Sequence, residues 1–324
     1  MILGVIEYEQ STMTELSLQM VTFGRDLAEK SGDEFVGLII GASDNAPLIG
    51  ELGRYGVAKV ITAAHENLKD YAPVAWANTI SQVIDQTQAK MVMAPGSDQG
   101  NEVMAHLAAR SDLPMATNCA AVSADDLSRI TRLRWGSSLM EEAILTGDCK
   151  LITIAPFVVE AAEGASHAEP AEESFEPTLS DQDIQVRLIR KEPDETEGIT
   201  LKNASVVVGG GRGVGSPEAY SVLEELAKLL GGAVGCSRVA TNNGWRPHSD
   251  QVGLTGTRIS PELYIACGIS GAIQHLVGCK GAGKIMVINK DPEAAFFGKA
   301  DYGVIGDLHE VLPAIIEELK AQGV

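Results

Sequence analysis

No apolar run in this chain of 324 residues reaches the roughly 20 residues that a membrane-spanning helix needs, which excludes an integral membrane protein built on such helices. Cysteine is scarce. The five, Cys119, Cys149, Cys236, Cys267 and Cys279, are odd in number and form no CxxC pair. That argues against a zinc site or a disulfide frame and for reduced, buried thiols. Bases are outnumbered, 25 Lys and Arg against 44 Asp and Glu, for a net charge of −19. A nucleic-acid backbone would be repelled, so DNA and RNA are excluded as partners. No HExxH, Ser/His/Asp order or paired-carboxylate motif occurs, so the sequence offers no catalytic set and no metal site. The start, MILGVIEYEQ, lacks the basic segment of a signal peptide and is too acidic for a transit peptide. A prokaryotic cytoplasm is the expected location.

What is present is an alternation of strand-like and helix-like runs, which implies a mostly parallel sheet with helices on its faces. Strands are expected at Met1–Tyr8, Glu34–Ile40, Ala58–Ala64 and Met91–Ala94. Helices are expected at Thr14–Lys30, near Ala46–Tyr55, at Ala72–Thr87 and at Asp98–Arg110, the last with Ser97 as N-cap. From about Ala120 the runs shorten. Ile130–Trp135, Glu142–Thr146 and Leu151–Phe157 read as an antiparallel meander added to the sheet. Ala161–Asp183, rich in Glu, Ala, Ser and Pro, reads as an extended or mobile loop, and Ile184–Leu188 as a strand. The acidic stretch Lys191–Gly198 is the expected linker between an N-terminal domain, 1–198, and a smaller doubly wound domain, 199–324. Charge supports the division: residues 1–198 hold 32 acids and 14 bases, residues 199–324 hold 12 and 11.

In the second half, Gly209-Gly210-Gly211-Arg212-Gly213-Val214-Gly215 follows a strand (Ala204–Val208) and precedes a helix (Pro217–Leu230). That context suits a phosphate cradle, with backbone N–H groups and Arg212 on the anion, though a tight turn alone explains the glycines too. The third glycine of GxGxxG would fall at Val214, so the dinucleotide fingerprint is not met. Gly278–Ile285 almost spells a Walker A loop, but Ile285 replaces the Ser/Thr and a strand follows where a helix is required. Arg238 fits either a cation over a ring or a surface ion pair. Thr255 sits in a glycine-flanked turn, and Gln274 and His275 fall early in a short helix. The run Gln251–Ala294 as a whole suits a flat, anionic ligand.

The block QVGLTG…SPELYIACGISGAIQH…INKDPEA…ADYGVIGDL resembles the alpha subunit of electron transfer flavoprotein, strongly from about Val206 to the C-terminus and weakly in the first half. The resemblance implies one FAD held mainly by the C-terminal domain, and pairing with a beta subunit through the N-terminal domain. It implies an electron carrier rather than an enzyme. Flavin dehydrogenases, such as the acyl-CoA dehydrogenases of fatty acid oxidation, would reduce it. An electron transfer flavoprotein-quinone oxidoreductase would oxidise it, with the FAD domain swivelling between partners. By matching positions, Gly211, Arg212 and Gly213 belong at the FAD phosphates, and Ser237 and Arg238 beside the flavin. Gln251, Val252, Gly253, Leu254 and Thr255 line the isoalloxazine, Thr255 donating to N5. Gly268, Ser270, Gly271, Ala272, Ile273, Gln274 and His275 follow the pyrophosphate and ribityl chain, His275 reaching O2. Asn289, Asp307 and Leu308 serve the adenosine end. Two positions depart from the family pattern: Gly209 stands where Ser is usual, and Leu254 where Gln is frequent. A positioned charge or donor contributing ~1.4 kcal/mol shifts a one-electron equilibrium about tenfold, so Arg238 and His275 are expected to tune the flavin. A flavin-bifurcating, NADH-oxidising relative and an adenine-nucleotide-binding regulatory module are the alternatives.

Overall fold

The computed structural model describes residues 1–324 apart from 43, 136–138, 166, 168, 191–198 and 324. The chain forms two compact units, Met1–Glu192 and Pro193–Val324. The expected linker, Lys191–Gly198, lies outside the described residues.

The first unit begins with β1 (Ile2–Val5), a two-strand hairpin of β2 (Tyr8–Glu9) and β3 (Thr12–Met13), and α1 (Glu15–Ser31). The Thr14 side chain caps α1 by accepting from Ser17 N–H, and Gly32 ends it in the left-handed conformation. There follow β4 (Phe35–Ile40), α2 (Ala46–Arg54), β5 (Lys59–Ala63), α3 (Pro73–Thr87), β6 (Met91–Pro95) and α4 (Asp98–Ser111), capped by Ser97 as expected. The unit ends with β7 (Met115–Val122), β8 (Arg129–Arg134), β9 (Leu139–Ile144), β10 (Lys150–Ile154) and β11 (Ala171–Phe175). Among the described residues the long strands form one sheet in the order β11-β5-β4-β1-β6-β10-β7-β8-β9, parallel except for the two ladders that join β7, β8 and β9. Alternate residues divide between two cores. Leu3, Val36, Leu38 and Val92 face Trp76 and Ile80 of α3 and Leu107 of α4. Ile2, Phe35, Ile39 and Met91 face Met20 of α1 and Leu48 and Leu52 of α2.

Three expectations need correction. Leu151–Phe157 is not part of the meander: β10 runs parallel between β6 and β7, buried in the sheet. The meander's first strand is instead β7. The Ala161–Asp183 segment is not simply a loop, because β11 pairs parallel with β5 at the sheet edge. Its far end is held by Asp183, 2% exposed, which accepts from Arg110 at 2.9 Å and from Asn78 at 3.0 Å. Finally, Ile184–Leu188 forms no strand.

One buried acid in this unit has a consequence for stability. Just beyond β1, the Glu7 carboxylate accepts from Ser97 Oγ at 2.5 Å. Burial pushes its pKa up from 4.5 to about 7, against the opposing hydrogen bonds from Ser97 and Gly100. The folded state therefore holds a proton that the unfolded chain has lost. The resulting stabilisation is complete below the unfolded value and disappears as pH rises through about 7. In Glu7→Gln the loss of unfolding free energy between about pH 5 and pH 8 should shrink by up to ~3 kcal/mol, read by urea titration. An unchanged pH dependence would contradict this role for Glu7.

The second unit comprises β12 (Val206–Gly210), α5 (Tyr220–Leu229), β13 (Ala233–Cys236), α6 (Arg238–Asn242), β14 (Leu263–Cys267), α7 (Ile273–Gly278), β15 (Lys284–Asn289), β16 (Tyr302–Ile305) and α8 (Leu308–Gln322). Its five strands, all parallel, lie in the order β13-β12-β14-β15-β16. Val208, Ile265 and Ile288 pack on Leu223 and Leu226 of α5 and on Leu312 and Ile316 of α8. The opposite face, Val207, Tyr264, Ala266 and Val287, is covered by Phe296, Val252 and Ile259, with Leu276 of α7 beside them. The chain is thus α/β: a large, mostly parallel sheet carrying an antiparallel meander, then a smaller doubly wound unit.

Candidate functional site

Strand order reverses at β12, since β13 lies on one side of it and β14 on the other. Loops leaving the carboxyl ends of parallel strands diverge at such a point and open a crevice for ligands. Here the crevice is a cleft of about 570 Å³. Arg212 and Gly213 reach it after β12, Ser237 and Arg238 after β13, Gly268 and Ser270 after β14, and Asn289 at the end of β15. The turn Gln251–Thr255 closes one wall, and Ala272, Gln274 and His275 at the start of α7 form another.

The glycines set how closely the loops approach. Gly213 N–H donates to Gly268 O at 3.0 Å, and a Cβ on Gly213 would lie 2.7 Å from Gly268 Cα. Backbone thus crosses backbone with no room for a side chain. The helix expected to start at Pro217 begins at Tyr220, without a side-chain cap. The N–H groups of Gly211, Gly213, Val214 and Gly215 all donate to carbonyls of the chain, so positive potential for an anion at the first turn comes from Arg212, not from a helix that opens directly on it. The stronger cradle is the second loop. Among the described residues, the backbone N–H groups of Ser270, Gly271, Ala272, Ile273 and Gln274 have no partner within the chain. Successive free N–H groups make an anion site.

The opposite wall is a chain of polar contacts. Thr241 Oγ1 donates to Gln251 Oε1 at 2.8 Å, and Gln251 Nε2 donates to Thr255 Oγ1 at 3.1 Å. Arg238 Nη2 donates to the same oxygen at 3.3 Å. With both acceptor positions used, the Thr255 hydroxyl keeps its own proton for another acceptor. Leu254 N–H donates to Gln274 O at 2.7 Å, tying this wall to α7, while the Leu254 side chain stays part-exposed. Among the described residues, two side-chain atoms of residues that line the cleft, Ser237 Oγ and His275 Nδ1, are buried without a hydrogen-bond partner. Burial drives the His275 pKa down to about 4; the nearby Val252 backbone opposes this only in part, and Nδ1 itself makes no hydrogen bond. The ring is therefore neutral at physiological pH. Buried orphans of this kind are rare and point to a missing partner.

The cleft gathers fifteen of the residues singled out from sequence: Arg212, Gly213, Ser237, Arg238, Gln251, Val252, Gly253, Leu254, Thr255, Gly268, Ser270, Ala272, Gln274, His275 and Asn289. Five others do not line it. Gly211 packs against Gly268 O and Gly271 against Phe296. Ile273 points to solvent, Asp307 caps α8 by accepting from His309 N–H, and Leu308 is buried beneath Gly268. Asn289 lines the cleft, yet its amide serves the fold, donating to Ile269 O at 3.0 Å and accepting from Asp291 N–H at 3.1 Å. Lining residues that the sequence reading missed are Gly215, Val239, Ile269, Lys290 and Asp291. Lys290 and Asp291 sit just past an apolar strand, the position at which a doubly wound sheet presents ligand contacts, and that signal was available. Gly209 needs a correction. It is part of β12 rather than of a turn, and a Cβ there would meet Tyr264 Oη at 2.2 Å. The near-Walker A segment is a helix end and a strand start, with Lys284 paired to Asp301 at 2.8 Å.

A parallel, doubly wound unit with free N–H groups, cations and orphaned donors at its switch point defines a nucleotide-cofactor-binding protein. Residues 2–178 match the electron transfer flavoprotein domain, and residues 200–280 match the electron transfer flavoprotein FAD-binding domain. The chain belongs to the electron transfer flavoprotein family, among its alpha subunits. It is 35% identical over 316 residues to the electron transfer flavoprotein subunit alpha of Bacillus subtilis, covering 97% of this chain and 95% of the relative. It is 34% identical over 329 residues to that of Mycobacterium leprae, covering 99% and 98%. Protein FixB of Clostridium saccharobutylicum is 32% identical over 319 residues, covering 97% and 94%. The cofactor of the second unit is accordingly FAD, and the orphaned Ser237 Oγ and His275 Nδ1 fit a ligand that supplies their partners.

Proposed function

We propose that this chain is the FAD-carrying half of a heterodimeric electron carrier. Flavin dehydrogenases such as acyl-CoA dehydrogenases reduce it, and a membrane quinone reductase oxidises it, in a prokaryotic cytoplasm. The observation that carries this reading is the pair of unpartnered buried atoms, Ser237 Oγ and His275 Nδ1, in a cleft whose other wall holds the cation Arg238. Bound FAD supplies the redox chemistry. The chain's own residues bind and bias it. Arg212 and the free N–H groups of Ser270 to Gln274 hold the pyrophosphate. Arg238 places positive charge, and Thr255 and His275 each offer a hydrogen-bond donor, which favours a ring that gains negative charge. Residues 1–198 serve the beta subunit and residues 199–324 the cofactor. The test is the flavin content of the purified alpha–beta complex. One FAD per heterodimer supports the carrier; two would favour the bifurcating, NADH-oxidising form.

We place the beta subunit on the antiparallel edge of the first unit. Trp135 is 80% exposed, Met140 71% and Ile144 63%, an unusual concentration of apolar surface on one hairpin. Met140 and Ile144 share a face of β9. The double substitution Met140→Asp and Ile144→Asp should leave the fold intact and weaken the complex by about tenfold or more, measured by sedimentation. Undiminished affinity would move the interface elsewhere.

A further inference from the structure

Tyr264 is wholly buried, and among the described residues its hydroxyl has one hydrogen-bond partner, His275 Nε2 at 2.7 Å. The imidazole lies nearly parallel to the Tyr264 ring, centroids 6.0 Å apart, and edge-on to Phe296 at 5.8 Å. Its orientation is therefore fixed by packing. Its tautomer remains to be decided, because a neutral imidazole carries one proton on one of two nitrogens.

Counting donors and acceptors decides it. If Nε2–H donated to Tyr264, the phenol proton would have no acceptor and Nδ1 no donor, leaving two buried groups unsatisfied. If Tyr264 O–H donates to Nε2, only Nδ1–H lacks a formed hydrogen bond; the nearby Val252 backbone also favours a proton on the ring, and Nδ1 is the imidazole atom found without a partner. Buried polar groups left unpaired are costly, so the second arrangement prevails. We propose that Tyr264 is a positioning residue that holds His275 in the Nδ1–H tautomer, so that the cleft presents a fixed donor to an acceptor atom of the bound cofactor. Gly209 is part of the device. Its missing side chain leaves the space for the Tyr264 hydroxyl, since a Cβ would fall 2.2 Å from Oη and 2.7 Å from Cε2. This inference rests on the reading of the cleft as the FAD site only where it names what Nδ1–H meets.

The test is a long-range proton–nitrogen correlation spectrum of the alpha–beta complex labelled with nitrogen-15 in histidine, before and after flavin removal. The His275 signals are assigned by their loss in His275→Gln. The expected result is an Nδ1–H imidazole in the deflavinated wild type, and a shift toward Nε2–H in Tyr264→Phe. FAD affinity should fall about tenfold in that variant, the effect of one misdirected hydrogen bond. Gly209→Ala, which crowds the hydroxyl from the other side, should shift the tautomer in the same direction. An Nε2–H imidazole in the wild type overturns the proposal and needs no variant to fold. A tautomer that is unchanged in Tyr264→Phe overturns it as well. Failure of the complex to take up FAD would overturn the functional reading instead, while the deflavinated spectrum still judges the role of Tyr264.

Discussion

Gly213→Ala should strip the complex of flavin on purification and lower FAD affinity by about 100-fold or more, the effect of displacing a binding loop by roughly 1 Å. The reason is steric. The added methyl would lie 2.7 Å from Gly268 Cα, and both neighbours are backbone, which cannot step aside as a side chain can. To relieve the clash, the turn after β12 must separate from the turn after β14, breaking the 3.0 Å hydrogen bond between Gly213 N–H and Gly268 O. That moves Arg212 away from the free N–H groups of Ser270 to Gln274, so the two halves of the anion site no longer act together. Overpacking should also cost about 1–3 kcal/mol of stability. Gly298→Ala is the matched control, because a Cβ there meets nothing within 4 Å. Equilibrium titration of FAD into deflavinated complexes, with circular dichroism to confirm folding, reads both effects. Wild-type affinity in Gly213→Ala would mean that the crossing of these loops does not shape the site.

Arg238→Ala should lower the potential at which the bound flavin takes its first electron, by about 60 mV for each tenfold of lost stabilisation. Arg238 lies at the cleft with its Nη2 on Thr255 Oγ1 at 3.3 Å, the oxygen that also accepts from Gln251. Removing it takes away a positive charge and frees an acceptor position on Thr255, so the threonine proton is no longer held outward. Because the guanidinium is exposed, part of its effect is screened, and the difference between wild type and variant should shrink in high salt. Arg238→Lys should recover part of the shift, having the charge without the planar fork. Spectroelectrochemical titration at two salt concentrations distinguishes these outcomes. An unchanged potential would remove Arg238 from the tuning of the flavin.

Much of this fold could be read from periodicity, because helices and buried strands alternate with period and length that water and packing dictate. Two strands show where periodicity misleads. Leu151, Ile152 and Ile154, with Thr153 as the one polar residue among them, do not alternate, and that is the pattern of a strand buried on both faces rather than of an exposed meander. Ala171–Phe175 is the reverse. Its strand is made by backbone pairing to β5 at a sheet edge, and its two glutamates resemble a loop in composition. The cleft was legible where glycines and hydroxyls cluster in turns between strands, as at Gly253–Thr255 and Gly268–Ser270. It was not legible at Tyr264, which in sequence is one more large residue in an apolar strand. Nor could spacing show that Ser237 Oγ and His275 Nδ1 would both be buried without partners.

The most direct measurement is anaerobic. A catalytic amount of an acyl-CoA dehydrogenase and its thioester substrate is added to the purified alpha–beta complex, and the flavin absorbance is followed. A carrier is predicted to bleach fully and to recover when an electron acceptor is supplied, with NADH alone producing no change. A complex that shows no flavin absorbance, or one whose flavin bleaches with NADH and not with the dehydrogenase, would contradict the reading of this chain as the cofactor half of an electron shuttle.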